Sequence, residues 1–111
     1  MLCIITAEDC PACTFLKTIY IPQIKEAFAK KRYQVRVINL TRRMDIMTTT
    51  DIDDNVRKTI SFFPYIYSFD GVDIVAIFNV GPDFKIVNNP LAPDAKNLLN
   101  FYENTFIKKR T

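Results

Sequence analysis

The sequence predicts an α/β domain: a central four-stranded mixed sheet flanked by helices, in the order β-α-β-α-β-β-α. Three observations point there. A short apolar run, LCIIT at residues 2–6, precedes a helical pattern and then an alternating run, YQVRVINL at 33–40; together these make a βαβ unit, whose strands run parallel. Two aromatic and β-branched runs flank Asp70-Gly71 in FFPYIYSFDGVDIVAIFNVG, the mark of an antiparallel hairpin. Ala95, Leu98, Leu99, Tyr102 and Phe106 then recur at helical spacing near the end of the chain. The 111 residues suffice for one hydrophobic core, so residues 1–111 are read as a single domain.

Taken in order, the first strand is nearly continuous in apolar residues, as in a strand buried on both faces. The stretch EDCPACTFL, residues 8–16, follows it. Pro11 suits a first helical position, where the missing N–H costs nothing. That places Cys10 at the helix N-terminus and Cys13 almost one turn inside. Pro22 deprives the Thr18 carbonyl of a donor and predicts a kink, with the apolar face continuing from Leu16 to Phe28. The helix is expected to end near Lys30, Lys31 and Arg32, cations that suit the negative end of its dipole.

The segment TTTDIDDNVRKTI, residues 48–60, predicts a short helix. Thr50 or Asp51 would cap it, Arg57 and Lys58 would fill its last turn, and Ile52, Val56 and Ile60 would form its buried stripe. Asp70-Gly71 predicts a two-residue type I′ turn. The last helix is expected to start near Pro93 and to close on Lys108, Lys109 and Arg110. There are no repeats and no linker.

Composition narrows the function. Nine Phe and five Tyr supply core material, and the net charge of +3 is too mild to imply a nucleic-acid partner. No apolar run approaches the roughly 18–20 residues of a membrane span, and a signal-peptide pattern is missing. The expectation is a soluble cytoplasmic protein, monomeric, without membrane or nucleic-acid partners. With no histidine, His-based acid–base catalysis and Cys/His zinc sites are excluded. One CxxC offers two ligands where structural zinc takes four, so no metal and no resident cofactor are expected. Three cysteines are an odd number for a disulfide framework. Cys3, in the first strand, reads as a buried thiol. Lys30, Lys31, Arg32, Arg36, Arg42 and Arg43 read as solvated, Met44 and Met47 as core filler, and Tyr65 and Tyr67 as packing on one strand face.

CxxC beside a βαβ pattern, followed by ββα, resembles the thioredoxin superfamily over nearly the whole chain. Proline directly after the first cysteine, with no tryptophan, makes it more similar to glutaredoxins than to thioredoxins. It is also similar to small thioredoxin- and glutaredoxin-like proteins of phages and large DNA viruses, whose setting would be an infected cell. The resemblance implies that Pro64, in SFFPYIY, opens the third strand, is cis and faces the CxxC. It implies a redox dithiol, with Cys10 attacking a target disulfide and Cys13 resolving the mixed disulfide.

By the same resemblance Phe63 would pair its backbone with an extended substrate. Phe62 and Phe63 with Pro64 would form the groove wall opposite Cys10, and Pro11 and Ala12 would meet the same substrate. Gly81 and Asp83 echo the turn with which glutaredoxins hold glutathione, although Pro82 removes a backbone donor. The lysine that usually precedes the motif is replaced by Ala7, Glu8 and Asp9, and the two acids read as solvent-facing loop residues. The function implied is a thiol–disulfide oxidoreductase acting on protein disulfides, with a reductase or glutathione as electron source. The alternatives are a glutathione-dependent glutaredoxin and a non-enzymatic interaction module of the same fold.

Overall fold

The computed structural model describes residues 1–60, 63–72, 74–77 and 95–107. Four strands form one mixed sheet: β1 (Leu2–Ala7), β2 (Val35–Leu40), β3 (Tyr65–Phe69) and β4 (Ile74–Ile77), in spatial order β2-β1-β3-β4. β1 runs parallel to β2 and antiparallel to β3, and β3 runs antiparallel to β4. Every residue of β1 is buried, as its nearly continuous apolar run leads one to expect of a strand paired on both edges and covered on both faces.

The pleat of β1 sorts the core into two halves. Leu2 and Ile4 face Leu16, Ile21, Ile24, Phe28, Leu98, Tyr102 and Phe106. Cys3, Ile5 and Ala7 face Cys10, Cys13, Ile52, Val56, Tyr65 and Tyr67. The register agrees: Ile4 lies opposite Ile66 of the first half, and Ile5 opposite Tyr65 of the second.

After β1 the chain turns directly into α1 (Pro11–Phe15), passes through a π-helical turn at Leu16–Tyr20, and continues as α2 (Ile21–Lys30). Pro22 is the second residue of α2, so the wider π turn is where the helix accommodates the missing donor. Ile21, Ile24 and Phe28 form the buried stripe of α2. The helix ends in a Schellman motif: Arg32 N–H donates to Ala29 O (2.9 Å) and Tyr33 N–H to Phe28 O (3.0 Å). Arg32 takes φ +60°, the left-handed conformation that glycine fills more cheaply. The apolar contact that accompanies such a cap is Phe28 against Tyr33, with ring centroids 6.2 Å apart.

Beyond β2, a 3₁₀ turn (Arg43–Met47) leads to α3, which spans only Asp54–Arg57. The helix predicted over 48–60 is therefore a single turn, with Asp53 at its N-cap position but no side-chain capping hydrogen bond. Thr49, Asp51 and their neighbours bond locally instead, Asp51 N–H donating to Thr49 Oγ1 at 3.3 Å, the competition that keeps such residues out of helices. Ile52 and Val56 are buried as the stripe required, and Ile60 packs partly buried beside them.

The hairpin also departs from expectation. Phe69 pairs with Ile74, so the connection holds four residues rather than two, and a register shift falls between Ser68 and Phe69. Asp70 sets it: its carboxylate accepts the Val72 N–H at 2.9 Å, an Asx turn, while Gly71 adopts φ +102°. α4 (Ala95–Tyr102) and the π turn Glu103–Ile107 close the structure. Tyr102 packs on Phe28 at 5.1 Å, on Tyr33 at 5.4 Å and on Phe106 at 5.0 Å, which seats α4 on α2. Pro93 and Lys108 to Arg110 lie outside the described residues. Among the described residues no helix is long and apolar enough to cross a membrane.

Candidate functional site

Cys10 and Cys13 are joined by a disulfide at the point where β1 gives way to α1. Two features of the sequence put them there. The chain leaves the sheet after Ala7, with Cys10 N–H donating to Ala7 O at 3.3 Å, and Pro11 then starts the helix. Cys10 is the residue before the first helical position, and its carbonyl accepts the Thr14 N–H at 3.2 Å. The Cys13 backbone N–H donates to Cys10 Sγ at 3.2 Å. The sulfur of Cys10 thus occupies the place of a helix-capping acceptor, among N–H groups that have no partner within the helix. That is where a negative sulfur would be held best.

Both cysteines are enclosed. Cys10 is 3% exposed and Cys13 fully covered, within the half-core that also holds Ala7, Leu40, Ile52, Val56 and Tyr65. Pro11 is exposed beside them, and Ala12 follows it in α1. Phe63 packs partly buried against the same half-core as the disulfide. Pro64 is buried at the entry to β3, and the Phe63–Pro64 peptide bond is cis. Phe62, Gly81, Pro82 and Asp83 lie outside the described residues.

The acids before the cysteines are exposed, as expected, but each is held. Glu8 Oε1 accepts a hydrogen bond from Asn39 Nδ2 (2.5 Å), and Lys17 Nζ lies 3.3 Å from Glu8 Oε2. Lys17 Nζ also donates to Asn39 Oδ1 (3.1 Å), and buried Thr6 donates from Oγ1 to the same oxygen (2.8 Å). The Asn39 bond first, and Lys17 second, keep the Glu8 carboxyl below the usual glutamate range. Asp9 Oδ1 accepts the Arg43 backbone N–H at 2.9 Å and lies 3.5 Å from Arg43 Nε. These partners lie 9, 31 and 34 residues away in sequence, and no local pattern announces them.

Cys3 is a buried free thiol opposite Tyr67. Burial pushes its pKa up, against smaller lowering effects from the Tyr67 hydroxyl, the N-terminus and Arg36. Burial likewise pushes up both Tyr65 and Tyr67, whose rings pack 5.5 Å apart. Met44 and Met47 are not core filler. They are 64% and 72% exposed, because the turn that carries them buries none of its residues. An open cleft of about 490 Å³ lies between that turn and α3, lined by Met47, Thr49, Asp53 and Arg57 among others, and no cysteine lines it.

Of the basic residues read as solvated, Lys30, Arg36, Arg42 and Arg43 are exposed but partnered. Lys30 pairs with Glu26, Arg42 with Asp45, and Arg36 donates to Asp51 O at 3.1 Å. Arg57, read from sequence as a helix-dipole cation, gathers three carbonyls: Ile46 O (2.6 Å), Thr49 O (2.6 Å) and Ile52 O (3.0 Å).

Sheet and site together define an α/β domain with a helix-capping cysteine pair embedded at the end of its central strand. No protein-family model, curated protein or solved structure matches the chain.

Proposed function

We propose that the chain is a thiol–disulfide oxidoreductase of the thioredoxin-like fold, acting on protein disulfides. The observation that carries this reading is the Cys10–Cys13 disulfide at the helix start, with the Cys13 N–H directed at Cys10 Sγ. The element order and the mixed sheet, with Pro64 at the mouth of β3, fit the same fold.

In the reduced protein the Cys10 thiolate attacks one sulfur of the target disulfide. A Cys10–target mixed disulfide forms, and the other target sulfur leaves as a thiolate. The Cys13 thiolate then attacks Cys10 Sγ, forming the intramolecular disulfide and expelling the second target sulfur. The target gains two electrons and two protons, and the Cys10–Cys13 dithiol loses them. An external thiol or dithiol reductant restores the pair by the reverse exchange. The N–H that caps Cys10 stabilises its thiolate, which favours Cys10 as the attacking sulfur. Partners meet Pro11 and Phe63 around the enclosed pair.

Equilibration in glutathione buffers, with trapping of free thiols, tests the proposal. The expected result is a two-electron equilibrium at a potential between about −270 and −120 mV. Failure of Cys10 and Cys13 to interconvert with the dithiol at any poise would overturn it.

A further inference from the structure

Two carboxylates stand immediately before the cysteine pair, and an uncompensated negative charge there works against a thiolate on Cys10. Lys17, Glu8 and Asn39 form a closed ring in which each is bonded to the other two, at 3.3, 2.5 and 3.1 Å. The buried Thr6 hydroxyl anchors that ring to β1. Lys17 is only 24% exposed, low for a lysine, whereas Glu8 is 60% exposed. Lys17 lies four residues beyond Cys13 on the continuous helical run, so the ring fastens that helix to the loop that carries Glu8 and to β2.

We propose that Lys17 is a positioning residue for the redox pair: it holds the Glu8 carboxylate and cancels its charge at the Cys10 sulfur. The inference rests on the redox reading given above. Asp9 on the same loop is held by Arg43 of the 3₁₀ turn. Cys3, Tyr65 and Tyr67 share the half-core, and burial favours the neutral form of each. Arg36 and Asp53 stand close enough to Tyr67 to act on it, and Arg57 is engaged by its carbonyls. Of these contacts, the Lys17–Glu8 pair joins the loop before the cysteines to the helical run that carries Cys13.

The test uses the reduced full chain, with the pH dependence of Cys10 alkylation by iodoacetamide read peptide by peptide. Lys17→Met leaves Glu8 uncompensated, and the Cys10 pKa is expected to rise by roughly half to one unit. Alkylation at a fixed pH below that value then slows about three- to tenfold. Glu8→Gln leaves Lys17 uncompensated and is expected to lower the pKa. The double variant is expected to return close to wild type, and both single shifts to shrink at about 1 M salt.

A merely structural ring would move both single variants in the same direction and the double variant furthest. That pattern, or single variants within 0.2 unit of wild type, taken as roughly the smallest resolvable shift, would overturn the inference. Exchange of the wild-type pair with oxidised glutathione is measured alongside. If it proceeds while the charge variants are silent, the inference falls and the redox reading stands. If wild type does not exchange, the redox reading falls first.

Discussion

Replacing Arg57 with methionine tests whether one guanidinium organises the segment that leads into α3. The three carbonyls it collects, from Ile46, Thr49 and Ile52, belong to a stretch with almost no regular structure of its own. Hydrogen bonds to a charged group contribute about 1.5–3 kcal/mol each. The full sum does not apply, because water re-solvates carbonyls near the surface once the arginine is gone. The Arg57–Asp54 ion pair adds little, since Asp54 is 87% exposed.

Methionine keeps an unbranched apolar stem of similar length, so the expected loss is about 2–3 kcal/mol. In a domain of this size that lowers Tm by roughly 10 °C. Urea unfolding followed by circular dichroism gives the free energy, and hydrogen exchange localises the loosening to residues 46–52. Arg57→Lys places one ammonium where a planar fork reached three acceptors, so it is expected to recover less than half of the loss. A penalty below about 0.5 kcal/mol for Arg57→Met, or full recovery by Arg57→Lys, would refute the clamp.

Arg32 occupies the left-handed position of the Schellman cap, so Arg32→Gly is expected to stabilise the protein by about 1 kcal/mol in the same unfolding assay. Phe28 is fully buried where α2, Tyr33 and Tyr102 meet, and Phe28→Ala is expected to cost about 3–5 kcal/mol. Cys3 and Tyr67 have folded-state pKa values raised above the ordinary 9.0 and 10.0, chiefly by burial. Their contribution is complete below those ordinary values and is lost as pH climbs through them toward the folded values. Stability should therefore fall above about pH 9, and Tyr67→Phe should make the decline above pH 10 shallower in pH-dependent urea titrations.

Much of the architecture is legible in the chain because its signals are local. The apolar run at Leu2 to Thr6, the proline after Cys10 and the spacing of Leu16, Ile24 and Phe28 each act within one element, and the structure follows them. The same holds for the pairing of Cys10 with Cys13. The departures come where short-range polar bonds compete with the regular ladder. Thr49 and Asp51 bond each other and shorten α3 to one turn. Asp70 caps Val72 and widens the hairpin. The Lys17–Glu8–Asn39 ring and the Arg57 clamp were hidden for another reason. Neither has a periodicity: the ring exists only once β2 is brought beside the loop that carries Glu8, and the clamp only once the segment from Ile46 to Ile52 folds back on α3.

The two-sided burial of β1 has a consequence for how this molecule can change over time. Adjacent residues of a single strand serve separate halves of the core, so the layer that isolates them is one backbone thick. Substitutions where α2 and α4 meet, around Phe28, Leu98 and Tyr102, can be absorbed there without reaching the cysteines. Drift at Ile5, Ile52 or Tyr65 presses on the disulfide's own surroundings. The helical side is free to wander as long as it fills its volume, while on the side bearing the sulfurs each change must also keep the disulfide enclosed.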